Sequence, residues 1–213
     1  MTPLAPLLEA FFTERLQLHR RASPHTVAAY RDTFRLLLRF AEIRVGRQPS
    51  DLLLADIDVP FIGSFLSHLE QDRKSSARSR NARLSAIRSF FRFIAAREPA
   101  HSALIQRVLA MPQQRFDRDL VAFLTRSEID ALLAVPDKTT QLGRRDHALL
   151  VFAVQTGFRV SELPARRVED LAFGVGAHAR CLGKGRKERC TPLTASTATA
   201  VRAWISEPHA AGP

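Results

Sequence analysis

The sequence predicts a mainly α protein with a small β-hairpin near its end. Three observations carry this. Apolar residues recur at three- and four-residue steps through the first hundred residues, which is helical spacing. Capping residues, Pro and Gly cut that pattern into helix-length pieces. Between residues 179 and 192 the pattern changes to a short hairpin: Arg180-Cys181-Leu182, a Gly183-Lys184-Gly185-Arg186 turn, then 188–192.

The first helix is expected over residues 3–18, with Leu4, Leu7, Leu8, Phe11, Phe12 and Leu16 apolar. Ser23-Pro24 then reads as an N-cap followed by Pro at the first helical position. The helix it opens carries an apolar stripe of Val27, Tyr30, Phe34, Leu37, Leu38 and Ala41. Arg31, Arg35 and Arg39 fall on its other side. Tyr30 belongs to the stripe, with its ring in the seam and its hydroxyl at the rim. A third helix is expected over 59–70.

A fourth helix, over 75–97, has a buried seam of Leu84, Ile87, Phe91 and Ile94. At about 100° per residue, Arg78, Asn81, Ser85, Arg88, Ser89 and Arg92 share one narrow face. From 73 to 97 there are eight basic residues and no acid. A merely solvated face usually mixes signs in Glu–Lys pairs. Small Ser and Asn between arginines would let the backbone approach a duplex, with arginines on phosphates. A linker with Pro99, Pro112 and Gln113-Gln114 follows, interrupted by a short helix near 102–109.

The second half opens on a capping box, Thr125 with Glu128, before Ile129, Leu132 and Leu133. The next helix is expected over 145–155, and Gly157 ends it. Arg159 is then expected to start a short helix reaching about residue 163, where an arginine beside free backbone N–H groups suits an anion. About two dozen residues later comes the cationic turn of the hairpin. Both elements are expected to converge on one DNA phosphate. Cys181 and Cys190 are expected to face each other across the hairpin; with no histidine cluster nearby they make no metal site. A last helix spans 195–206, before a frayed tail.

The totals bound the function. Lys and Arg number 32 against 21 Asp and Glu, a net charge of +11 with a pI near 11.1. Residues 1–112 hold 17 basic against 10 acidic side chains, and 113–213 hold 15 against 11, so both halves suit a clamp around DNA. No run of 18 apolar residues exists to span a membrane. Glu9 and Glu14 interrupt any signal-peptide pattern, and two cysteines make no disulfide scaffold, so a cytoplasmic location is expected. Gly183-Lys184-Gly185 is not a P-loop, because Arg186 and Lys187 follow where Ser or Thr should open a helix.

Ser23-Pro24-His25-Thr26 with Tyr30, Leu124-Thr125-Arg126-Ser127-Glu128-Ile129, Thr156 to Leu163, and Gly183 to Arg189 occur in an order that resembles the tyrosine recombinase (phage integrase) family. The resemblance implies a four-to-five-helix core-binding (SAM-like) domain over 1–98, a linker over 99–120, and the front part of an α+β catalytic domain over 121–213. It implies strand exchange through a phosphotyrosine, without metal or other cofactor. Arg159 would clamp the non-bridging oxygens of the attacked phosphate, and Lys184 would protonate the leaving 5′-oxygen. Glu162 would brace its helix. Arg186 and Lys187 would add DNA contacts from the hairpin. The family's His-x-x-Arg pair has no counterpart here, and Tyr30 is the single tyrosine. The chain is therefore expected to be C-terminally truncated, to bind double-stranded DNA, and not to cut it. The expected partners are DNA and, on it, a second copy or a full-length recombinase, with no membrane and no small-molecule substrate. Two alternatives compete: a non-enzymatic DNA-binding module that regulates a full-length recombinase, and a helical protein-interaction domain with incidental basicity.

Overall fold

Ser23 opens the longest helix of the protein as its sequence predicts. In the computed structural model, which describes residues 2–19, 22–117, 122–183 and 187–208, the Ser23 hydroxyl accepts the Thr26 N–H, and Pro24 occupies the first turn. The backbone divides into two units, Met1–Asp119 and Leu120–Pro213.

Among the described residues, the elements of the first unit are helices, with one isolated bridge between Pro3 and Leu53. Helix α1 (Leu4–Ala10) runs into a π-helical stretch, Phe11–His19, where a simple α-helix was expected. The five-residue step between buried Phe11 and Leu16 suits a π turn, because i and i+5 then share a face. Helix α2 (Pro24–Val45) ends on Gly46 at φ 70°, and α3 (Val59–Gln71) is capped by Asp58. Helix α4 (Ala77–Ile94) is capped by Ser76, and α5 (Ser102–Ala110) closes the unit. Phe11 centres an aromatic core, with rings of Phe12, Phe34, Phe90 and Phe93 within 6.0 Å of it, at the edge-on and tilted angles that aromatic pairs favour. Tyr30 is half-buried and stacks on Phe11 at 6.2 Å, where the apolar stripe put it. The seam of α4 (Leu84, Ile87, Phe91 and Ile94) is fully buried.

The second unit packs helices against one face of a small sheet. Helix α6 (Arg126–Ala134) begins at the expected capping box, with Glu128 reaching back to the Thr125 N–H at 2.7 Å. Helix α7 (Gln141–Thr156) starts a turn earlier than expected, because Thr140 accepts the Gly143 N–H as its cap, and it ends on Gly157 at φ 62°. Strands β1 (Leu171–Ala172), β2 (His178–Leu182) and β3 (Glu188–Pro192) form one antiparallel sheet in the order β1-β2-β3. The hairpin was expected; β1 was not, since two residues carry no periodicity to read. Helix α8 (Ala195–Ile205) packs along α7, and Phe152, Phe158, Ala179, Cys181, Leu193 and Val201 form the core. The register pairs Cys181 with Arg189 and Arg180 with Cys190. The two cysteines are therefore one step out of register. They lie on opposite faces, Cys181 buried and Cys190 exposed, rather than facing each other.

Among the described residues, no helix is long and apolar enough to cross a membrane. No group of three or more His, Cys, Asp or Glu among them could hold a metal ion.

Candidate phosphate site and nucleic-acid face

Gly157 turns the chain so that Phe158 points inward and Arg159 outward. Phe158 is buried edge-on against Phe152, with centroids 5.5 Å apart. After it comes a single turn, closed by Glu162 N–H to the Arg159 carbonyl at 2.8 Å, rather than the short helix expected from the sequence. Pro164 explains this. It has no N–H to continue a helical ladder, and it disfavours α geometry at Leu163. The helix-start argument for Arg159 accordingly falls away; its own N–H is already donated to Glu162 Oε2 at 2.8 Å.

Glu162 is the centre of the site. It is buried, and its two oxygens divide their work. Oε1 accepts from Nη1 of Arg159 at 2.9 Å, and Oε2 accepts from the Arg159 N–H and from Nη2 of Arg189 at 2.7 Å. The Arg159 N–H, foremost, and then the guanidinium bond and charges of Arg159 and Arg189, hold its carboxyl below the ordinary glutamate value against the opposing effect of burial. Arg159 itself is open, with 60% of its side chain exposed. Arg166 braces the turn from below, donating to the Glu162 carbonyl at 3.0 Å and to the Arg180 carbonyl of β2 at 3.1 Å.

Glu162 also joins this turn to the hairpin. Arg189 lies on β3 opposite Cys181, so its side chain shares the inner face of the sheet and passes over Phe158 at 5.8 Å. A Cβ built on Gly183, the residue before Lys184, would lie 3.5 Å from Arg189 Nε and 3.7 Å from Glu162 Oε1. Arg159 and the base of the hairpin thus meet at one carboxylate. Lys184 and Arg186 lie outside the described residues; Lys187 is exposed. Sequence reasoning gave Arg189 no role of its own, only a place at the end of the Gly183 to Arg189 stretch. Its position two residues into a strand, opposite an apolar partner, was the available signal.

On α4 the expected face is sorted rather than uniform. Arg78 and Arg92 are exposed and Arg88 is half-buried, and none has an acidic partner among the described residues. Asn81 and Ser89 are buried. Both ends of the Asn81 amide are occupied, donating to the Gln114 carbonyl at 2.7 Å and accepting the Gln114 N–H at 3.0 Å. Ser85 accepts from the Gln113 side chain at 3.1 Å. These polar positions therefore hold the segment after α5 against α4. Arg80 and Arg83 are internal ties, to Glu70 at 3.1 Å and to Asp32 at 2.6 Å. On α2, Arg31 and Arg39 are exposed, and exposed Arg35 pairs with Asp32 at 2.9 Å.

Comparison with known proteins agrees with this architecture. Residues 10–98 match the phage integrase N-terminal SAM-like domain, and residues 122–212 match the phage integrase family. The Sinorhizobium fredii protein y4rC, named as an integrase/recombinase, is 59% identical over 97% of this chain and 62% of its own length. A second protein of that organism, y4rD, carries the same kind of name and is 42% identical over 96% of this chain and 73% of its own. The chain thus spans between about 60 and 75% of these relatives. Among solved structures, the Tn1549 transposon integrase, in complex with circular-intermediate DNA, shares the fold at a TM-score of 0.68 with 15% identity. That match covers all of this chain and 67% of the integrase. With a relative 42% identical across nearly three quarters of its length, the chain belongs to the phage integrase (tyrosine recombinase) family.

Proposed function

We propose that this chain binds duplex DNA and grips one backbone phosphate with Arg159, beside the hairpin that carries Lys184. The observation that supports this best is the shared carboxylate. Glu162 holds the Arg159 turn and the base of the hairpin together, which supports the reading that Arg159 and Lys184 act on one phosphate. In the reaction of tyrosine recombinases, negative charge grows on the phosphate oxygens, and a guanidinium aimed there stabilises the transition state. Lys184 then serves as general acid to the leaving 5′-oxygen. Arg78, Arg88, Arg92, Arg31 and Arg35 supply backbone contacts from the first unit, with Arg186 and Lys187 adding to them from the second. Asn81, Ser85 and Ser89 shape that surface rather than touch the duplex. On this reading the core-binding domain takes residues 1–98, the linker 99–120 and the partial catalytic domain 121–213.

Cleavage needs a nucleophile. The single tyrosine of these 213 residues, Tyr30, stacks in the core of the first unit. These residues therefore bind DNA and leave it intact. The protein should bind a 30-base-pair duplex with log affinity falling linearly in log salt, by roughly 0.9 per phosphate contacted. Incubation with a nicked duplex should give no covalent adduct in denaturing gels. Absence of salt-dependent DNA binding would favour a protein-interaction domain, and an adduct would overturn the assignment of Tyr30.

A further inference from the structure

We propose that Arg189 is a positioning residue for Arg159: by sharing the Glu162 carboxylate, it keeps the Arg159 guanidinium available to a phosphodiester. The proposal rests on the reading of Arg159 as a phosphate ligand. A lone arginine beside a buried glutamate three residues away would be quenched, because the carboxylate needs a full countercharge once water is removed. Here two guanidinium groups share one carboxylate, and the trio keeps a net positive charge. The division of atoms matters. Arg159 gives Glu162 its backbone N–H and a single Nη1, while Arg189 takes the remaining demand on Oε2. The carboxylate is buried, whereas the two arginine side chains are 60% and 43% exposed, so the cations face outward and the anion lies beneath them.

The strand register makes this possible. Pairing with Cys181 turns Arg189 to the inner face, and Arg189 Nε lies 3.5 Å from where a Cβ on Gly183 would sit. The residue that relieves Arg159 therefore also lies against Gly183, at the end of β2. Without Arg189, Glu162 would turn its full charge on Arg159, and an incoming phosphate would have to displace it.

The test titrates the full chain with the dinucleotide TpT, a minimal phosphodiester, and follows the backbone amide NMR signals of residues 158–163. Arg189→Gln should weaken binding about tenfold, the effect of losing one close charge at a half-exposed site. Arg189→Lys should bind within about twofold of wild type, since the countercharge is kept. The double variant Arg189→Gln/Glu162→Gln should recover wild-type affinity, because the competing carboxylate is gone. A double variant as weak as Arg189→Gln would overturn the proposal and make Arg189 a direct ligand or a scaffold. If Arg189→Gln does not fold, as read from Trp204 fluorescence, Arg189→Lys alone decides: TpT affinity within about twofold of wild type supports the proposal, and a loss of about tenfold overturns it. Arg159→Ala separates the two readings. If it leaves TpT binding unchanged, the phosphate role of Arg159 itself is wrong.

Discussion

A buried carboxylate between two arginines gives Glu162 a definite pH signature. Its folded pKa lies below the ordinary value, first through the Arg159 N–H and then through the arginine side chains. A depressed acid stabilises the fold above its unfolded pKa and loses that contribution as pH falls through the folded value. The second unit should therefore lose stability from about pH 5 downward. Glu162→Gln should flatten that limb while lowering stability at neutral pH. Thermal melts at several pH values, read at the single tryptophan Trp204, check this. Gly157 shows what local sequence can specify by itself. Its place at the end of α7 was legible, and the structure gives it the αL geometry such an ending needs. Arg189 shows the opposite case. Its partner lies 27 positions away, and only strand register chooses the face it occupies.

Two junctions between a helix and a neighbouring segment carry the element scale. The first turn of α7 presses on the loop before it: a Cβ on Gly143 would sit 1.9 Å from the Asp137 carbonyl oxygen. Backbone cannot yield as a side-chain tip can, so Gly143→Ala should destabilise the second unit by about 2 kcal/mol or more. Urea unfolding at Trp204 measures it, and a loss under about 0.5 kcal/mol would refute the packing. On α4, Asn81 acts as a clip on the segment after α5. Asn81→Ala should release that segment, and trypsin should cut after exposed Arg115 about tenfold faster at unchanged core stability. An unchanged rate would mean other interactions hold the segment. The basic face of α4 was legible because helical period alone gathers those residues. That Asn81 and Ser85 would be taken by Gln114 and Gln113 was not legible, since hydrogen bonds across about thirty residues leave no period in a sequence.

At the scale of the whole molecule, two separately built cores carry two basic surfaces. Phe11 organises one core and Phe152 with Phe158 the other. Because the first unit holds the single tyrosine and the second the single tryptophan, their unfolding is separable by emission wavelength. If the chain binds DNA as proposed, charge distribution divides the labour of binding. Replacing both Arg88 and Arg92 with Ala should weaken duplex binding and reduce the log–log salt slope by roughly 0.9 for each phosphate left without its arginine. Arg159→Ala should change duplex affinity by less than about threefold, because one phosphate among many contributes little to the total. Anisotropy titrations across salt concentrations measure both. An unchanged slope for the α4 variant would leave that face merely solvated, and abolished binding for Arg159→Ala would refute the division.

The sequence by itself determined most of the helices, their caps and the hairpin, because these follow from spacing within a few residues, and its composition set the excess of positive charge. Tertiary structure decided which charges stay free. It tied Arg80 and Arg83 to neighbouring helices, closed Asn81 over Gln114, and set Arg189 beside Glu162. The physical reason is that a side chain's charge is local, while the partner that cancels or directs it is brought in by folding from elsewhere in the chain.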